Sequence, residues 1–216
     1  MTAYATLGLL SREEEYTAVE VQERAHEFLR YFYWAPALSH IRRELNRLDD
    51  LGFVAAREVK QGRVRRTLKY HVTPAGEQAL KEWAEGPGAE PTVVKNSVLL
   101  RLWLGRRAGD SQLVIDALID QIRQVSQDCD ELAASLEQTD RILASQREKF
   151  EAGEFADTRA YEAAVARNRW HHSVMSYCLR DYQHNLHNSQ QLLGELQDLA
   201  AIIRHSTSTP AETTAE

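Results

Sequence analysis

Apolar positions along this chain fall at helical spacing almost everywhere and give way to short extended runs in only one place. Tyr4 to Leu10 is a compact apolar run that predicts a first helix. Thr17 stands three residues before Glu20, the spacing of a capping box, and Val21, Ala25, Phe28 and Leu29 follow at helical intervals, so a second helix starts there. Tyr31 to Trp34 is dense in aromatics. Pro36 then suits the first turn of a third helix, with Leu38, Ile41, Leu45 and Leu48 as its inner stripe and Gly52 at its end. Phe53 to Glu58 and Leu68 to Val72 read as two strands around a Gln61-Gly62 turn. Thr73 or Pro74 opens a fourth helix, with Ala79, Leu80 and Trp83 along one side.

Glu85 to Pro91, rich in glycine and proline, is a linker, and helical spacing resumes beyond it. Val94 to Leu104 predicts a short apolar helix, Ala108 to about Phe150 a long one, and Thr158 to about His205 another, with a break at Ala152-Gly153 and Asp157. In the first long helix Ile115, Leu118, Ile122, Val125, Cys129, Leu132, Leu136, Thr139 and Leu143 step alternately by three and four. Met175, Leu179, Tyr182, Leu186, Ser189, Leu193, Leu196, Ala200 and Ile203 do the same in the second. These are heptad seams. They predict an antiparallel helix pair, a dimer seam, or both. A dimer is favoured, because two helices alone cannot bury the seams, the Leu99, Leu100, Leu102 and Trp103 cluster and the aromatics of the last helix. The expected fold is mostly α: an N-terminal winged helix-turn-helix over residues 1–85, a linker over 86–93, and an all-helical dimerisation domain with long antiparallel or coiled-coil helices over 94–205. A disordered Ser/Thr/Ala-rich tail is expected over 206–216.

Charged residues at 27% and apolar residues at 43% of 216 are the balance of a soluble globular protein. Two cysteines, Cys129 and Cys178, and no leader pattern suggest no oxidising compartment. No apolar run nears the ~20 residues of a membrane span. The expectation is a cytoplasmic protein without a membrane partner.

Net charge of −6 argues against a nucleic-acid binder, but the distribution reverses that reading. Between His40 and His71 nine basic residues (Arg42, Arg43, Arg47, Arg57, Lys60, Arg63, Arg65, Arg66, Lys69) face four acidic ones (Glu44, Asp49, Asp50, Glu58), a local balance of +5. A helix, a glycine turn between two strands and a further helix, with arginine at both the helix and the turn, describe a winged helix and its DNA contacts. Opposite the apolar stripe, at about 100° per residue, lies Arg43. It is the expected base-edge contact in the major groove, most naturally to guanine. Ser39 and His40 sit near the helix N-terminus, which enters the groove first. Arg42 and Arg47 are expected at phosphates. Arg63, Arg65 and Arg66 form the wing contact, on the backbone or in a narrow minor groove. The plainer reading of such a helix is solvated arginines, and of such a wing, charges that protect an edge strand.

This segment resembles the PadR family of transcription regulators, and within it the branch of virulence-gene activators. The matching pieces are Tyr33 to Pro36, His40 to Leu48, Leu51 to Val54, Gln61 to Arg63, Tyr70 to Leu80 and, past the linker, Val98 to Gly105. The resemblance implies a homodimer joined by its C-terminal helices, each recognition helix in one half of a near-palindromic double-stranded site. It also implies no catalysis, repression of a neighbouring operon as the commoner role, and response to small hydrophobic or phenolic compounds. One position departs: the family usually has tyrosine where this chain has Arg42, which puts the operator sequence in question.

Aromatic residues line most ligand pockets, so Trp103, Trp170 and Tyr177 are the candidate effector contacts, with Tyr182 beside them; core or dimer seam is the plainer role. Asp181, His184 and His187 share helical spacing after His171-His172. The two later histidines fall on the outer face of the heptad frame, so no metal is expected there. Cys129 and Cys178 read as buried, inert thiols. No nucleophile elbow, phosphate loop or carboxylate pair appears, and no cofactor is expected. The rival to a DNA reader is a helical interaction module whose winged helix binds protein.

Overall fold

The computed structural model describes residues 2–10, 14–33, 35–61, 65–87, 95–104 and 111–208. Trp34, Gly62, Arg63, residues 88–93 of the linker and residues 209–216 of the expected tail lie outside that set, as do the side chains of residues 60, 61, 65, 111, 114 and 201–208. The chain divides into two compact units, Met1–Thr92 and Val93–Glu216.

In the first unit α1 (Thr2–Leu10) is followed by a short strand β1 (Tyr16–Thr17), then α2 (Ala18–Arg24), which runs on into a π-helical turn at Ala25–Leu29. Thr17 caps α2 as its spacing predicts: its hydroxyl accepts from Glu20 N–H at 3.2 Å, and the Glu20 carboxylate accepts from Thr17 N–H at 2.7 Å. Helix α3 (Leu38–Asp50) starts after Ala37, so Pro36 stands outside the helix rather than in its first turn. Its carbonyl instead accepts from the Gln22 side chain at 3.3 Å, which ties the entry of α3 to α2. Gly52, at φ +73°, ends α3 in a Schellman turn: Phe53 N–H bonds to Leu48 O and Gly52 N–H to Asp49 O, both at 2.9 Å.

Strands β2 (Val54–Gln61) and β3 (Arg65–Val72) pair antiparallel from Val54↔Val72 to Gln61↔Arg65 and are longer than the sequence runs predicted. β1 adds to the other edge of β3 through Tyr16↔Tyr70 and Thr17↔Lys69, giving the order β1-β3-β2. Thr73 caps α4 (Pro74–Glu85), accepting from Gly76 N–H at 3.2 Å and donating to Gly52 O at 2.7 Å. Gly76 is required there by close approach, because any β-carbon would collide with the Phe53 carbonyl. Leu7, Leu10, Val21, Ile41, Leu45, Leu48 and Val54 form the core, with Tyr16 and Tyr70 sealing it from the sheet.

The second unit holds α5 (Ser97–Leu104), α6 (Ser111–Glu151) and α7 (Thr158–Ser208). Asn96 caps α5, its side-chain oxygen accepting from Val98 and Leu99 N–H at 3.0 Å. α6 and α7 pack as an antiparallel hairpin. Gly153, at φ +76°, closes α6 in a second Schellman turn, and Phe150, Phe155 and Tyr161 stack over the bend. Leu118, Val125, Cys129, Leu132, Met175 and Cys178 are buried between them. α7 continues through Ser206, Thr207 and Ser208, where the sequence led us to expect a disordered tail. Among the described residues no helix is long and apolar enough to cross a membrane.

Candidate nucleic-acid interface

The geometry of α3 divides its side chains into four strips. Ile41, Leu45 and Leu48 are buried against α1, α2 and the sheet. On the opposite side Ser39, Arg43, Asn46 and Asp50, spaced by four, three and four, are all exposed. One flank carries Arg42 and Asp49 toward β3. The other carries His40, Glu44 and Arg47.

The two flanks differ in electrostatic state. Arg47 is held along its own helix by Glu44, with its guanidinium 2.6 Å from the carboxylate; this pairing raises the arginine's proton affinity further and part-neutralises that flank. Arg42 lies instead on a cleft of about 640 Å³ between α3, the first turns of α2 and β3. Arg42 and Asn46 form one wall, Arg66, Thr67, Leu68 and Tyr70 a second, and Thr17 to Glu20 with Glu23 a third. Burial pushes the Tyr70 phenol up, with Asp49 adding to the effect and Arg42 opposing it. Among the described residues Arg42 and Arg43 have no carboxylate partner.

The wing is less bare than its sequence suggests. Arg66, opposite Lys60 in the ladder, pairs with Glu58 at 3.2 Å while remaining 68% exposed. Arg57 is clasped by Glu15, from the segment just before β1, with Nε donating at 3.0 Å. Glu15 is held below the usual carboxylate range chiefly by that bond. Lys69 donates to the Glu15 carbonyl at 3.4 Å, and His71 Nδ1 lies 3.8 Å from its carboxylate. Of the nine cations counted in sequence, Arg47, Arg57 and Arg66 therefore carry their own counter-charge. Glu15, outside the counted segment, supplies one of the three. Arg63 lies outside the described residues, and Arg65 is placed by its backbone, opposite Gln61.

The structure thus brings Arg42 and Arg66 to one open cleft, with Asn46, which sequence reasoning noted only as a neighbour of Arg43, while Ser39 and Arg43 stand exposed on the outward strip of α3. Exposed cations with a neutral amide between them suit an anionic polymer, not bond-breaking chemistry. The effector candidates Trp103, Trp170 and Tyr177 lie in the second unit and are 77%, 78% and 63% exposed, so among the described residues they are not enclosed. His184 and His187 are exposed on α7, and among the described residues no group of three metal-ligating side chains is assembled. His172 instead bridges the hairpin, 3.3 Å from Asp140. Burial pushes both cysteine thiols up, with neighbouring aspartates adding to it, so they stay protonated at neutral pH.

No protein-family profile matches the chain. A curated relative, the negative transcriptional regulator PadR of Bacillus subtilis strain 168, is 27% identical over 183 residues, which span 82% of this chain and 97% of the relative. The crystal structure of Bacillus subtilis PadR in complex with operator DNA superposes with a TM-score of 0.62 at 24% identity, covering 90% of this chain and 96% of that one. The structure of the same protein in complex with p-coumaric acid superposes with a TM-score of 0.56 at 22% identity, covering 90% and 94%. These two likenesses establish the fold.

Proposed function

We propose that this chain, a PadR-like transcriptional regulator in sequence and in fold and not an enzyme, binds a near-palindromic operator as a homodimer. The N-terminal unit is the DNA-binding domain. α3 enters the major groove, Arg43 contacts a base edge, Ser39 and His40 lead the helix in, and Arg42 and Arg47 meet phosphates. The wing residues Arg63, Arg65 and Arg66 lie along the backbone or minor groove. The helical unit dimerises, holding two α3 helices about 34 Å apart to meet successive major grooves. The regulator is a repressor, a reading supported by the name of its relative. A small hydrophobic or phenolic compound releases it, a reading supported by the PadR structure that holds p-coumaric acid.

One observation carries the DNA-binding reading: among the described residues Arg43, opposite the core, and Arg42, on the flank toward β3, stand exposed and without a carboxylate partner. The test is binding to the DNA upstream of its own gene across a salt series. Affinity should fall along a straight log–log line, by about 0.9 per phosphate neutralised. Arg43→Ala should weaken the specific site about tenfold or more relative to random duplex. No binding to any duplex would favour the rival reading, a winged helix that docks protein. Adding p-coumaric acid tests the effector arm, with release of the operator as the expected result.

A further inference from the structure

We infer that Asn46 is a base-reading residue, with adenine as its partner, acting beside a guanine read by Arg43. The inference rests on the DNA-binding reading above. Asn46 and Arg43 share the strip of α3 that lies opposite Ile41, Leu45 and Leu48, so both project where a major groove would be. Asn46 also lines the cleft toward the wing, is exposed, and makes no side-chain hydrogen bond among the described residues. Its amide presents one donor and one acceptor side by side, the complement of adenine N6 and N7. Arg43 presents donors only, the complement of guanine O6 and N7.

Spacing fits the pair to neighbouring bases. Three residues of helix advance about 4.5 Å, close to the roughly 3.4 Å between successive base pairs. Charge separates Asn46 from the phosphate contacts. Arg42 and Arg66, on two walls of the same cleft, are the cations suited to a passing sugar–phosphate strand, whereas Glu20 and Glu23 on the third wall repel it. A neutral amide between these groups gains little from a phosphate and more from a base edge. Asp50, the last residue of the strip, has no donor when ionised and so cannot bond the N7 acceptor that both purines present.

The experiment is selection of bound sites from a pool of randomised synthetic duplexes by the full-length protein, its Asn46→Ala and Asn46→Lys variants, and Arg42→Ala. For Asn46→Ala the preference for adenine should fall about tenfold at one position in each half-site, with the other positions and the salt slope unchanged. Asn46→Lys, which keeps donors and loses the acceptor, should move that position toward guanine. Arg42→Ala should lower affinity for all sequences alike and reduce the salt slope by about one. Unaltered preferences in both Asn46 variants, or a uniform loss across sequences, overturn the inference while leaving the DNA-binding reading standing. Failure of the unaltered protein to select any duplex overturns both.

Discussion

The two units of this chain solve burial in different ways. In the first, helices and a small sheet enclose Leu7, Leu10, Val21, Leu45 and Leu48 until none keeps any exposure. In the second, α6 and α7 bury one seam between them, and the rest of the apolar surface stays open. α5 has no buried residue, although seven of its eight positions other than Arg101 are Ser97 and six apolar side chains. Leu100, Trp103, Leu113 and Trp170 are each more than half exposed. Isolated exposed apolar residues are ordinary, but Leu99, Leu100, Trp103 and Leu104 exposed together on one short helix favour an interaction surface. The first unit buries its core within itself; the second leaves large apolar side chains exposed, which supports a second copy of the chain as the proposed occupant.

Substitutions test this contrast. Leu45→Ala, in the closed core, should cost about 3 kcal/mol, read as a lowered urea midpoint by circular dichroism. A cost below 1 kcal/mol would show a looser core than the burial implies. Gly76→Ala should cost about 2 kcal/mol, because the new β-carbon meets a backbone carbonyl that has no rotamer by which to move aside. Trp103→Ala is the sharper comparison. On a bare surface it changes stability by about 0.5 kcal/mol or less. Under a second copy it should cost about 2 kcal/mol and make the melting temperature depend on protein concentration. Sedimentation would report the shift toward monomer, and a melting temperature independent of concentration in both proteins would break the contrast.

The smallest effect concerns acid. Glu20 is held below the usual carboxylate range, first by the hydrogen bond from Thr17 N–H, against a small cost of burial. Its folded value lies below its unfolded one. The stabilisation is therefore complete above the ordinary carboxylate range and is lost as pH falls through the lower folded value. Glu20→Gln should flatten the acid limb of a stability-against-pH curve for the first unit, and an unchanged limb would remove the capping box from that dependence.

Local chemistry made much of this architecture readable in advance. The Thr17–Glu20 capping box, the Gly52 stop and the Thr73-Pro74 start each act within a few residues, so spacing alone reveals them. The buried stripe of α3 and the two seams follow from period. β1 was not readable, because a two-residue strand has no period and its partner Tyr70 is far along the chain. The clasp of Arg57 by Glu15 spans 42 positions and escaped the charge count for the same reason. Pro36 was placed in a helix because its fixed φ suits a first turn, yet the chain uses its carbonyl to hold α2. The outward position of Arg43 follows from angle, whereas the cleft that distinguishes Arg42 from Arg47 exists only once β3 lies beside α3.

The outward strip of α3 has an evolutionary consequence. Ser39, Arg43, Asn46 and Asp50 touch none of the core, so exchanging them costs the fold about 0.5 kcal/mol or less. Ile41, Leu45 and Leu48, about 100° or more away around the same thirteen-residue helix, have no such freedom. Under the proposed DNA-binding reading, single substitutions in this strip would change the target sequence while leaving the fold intact.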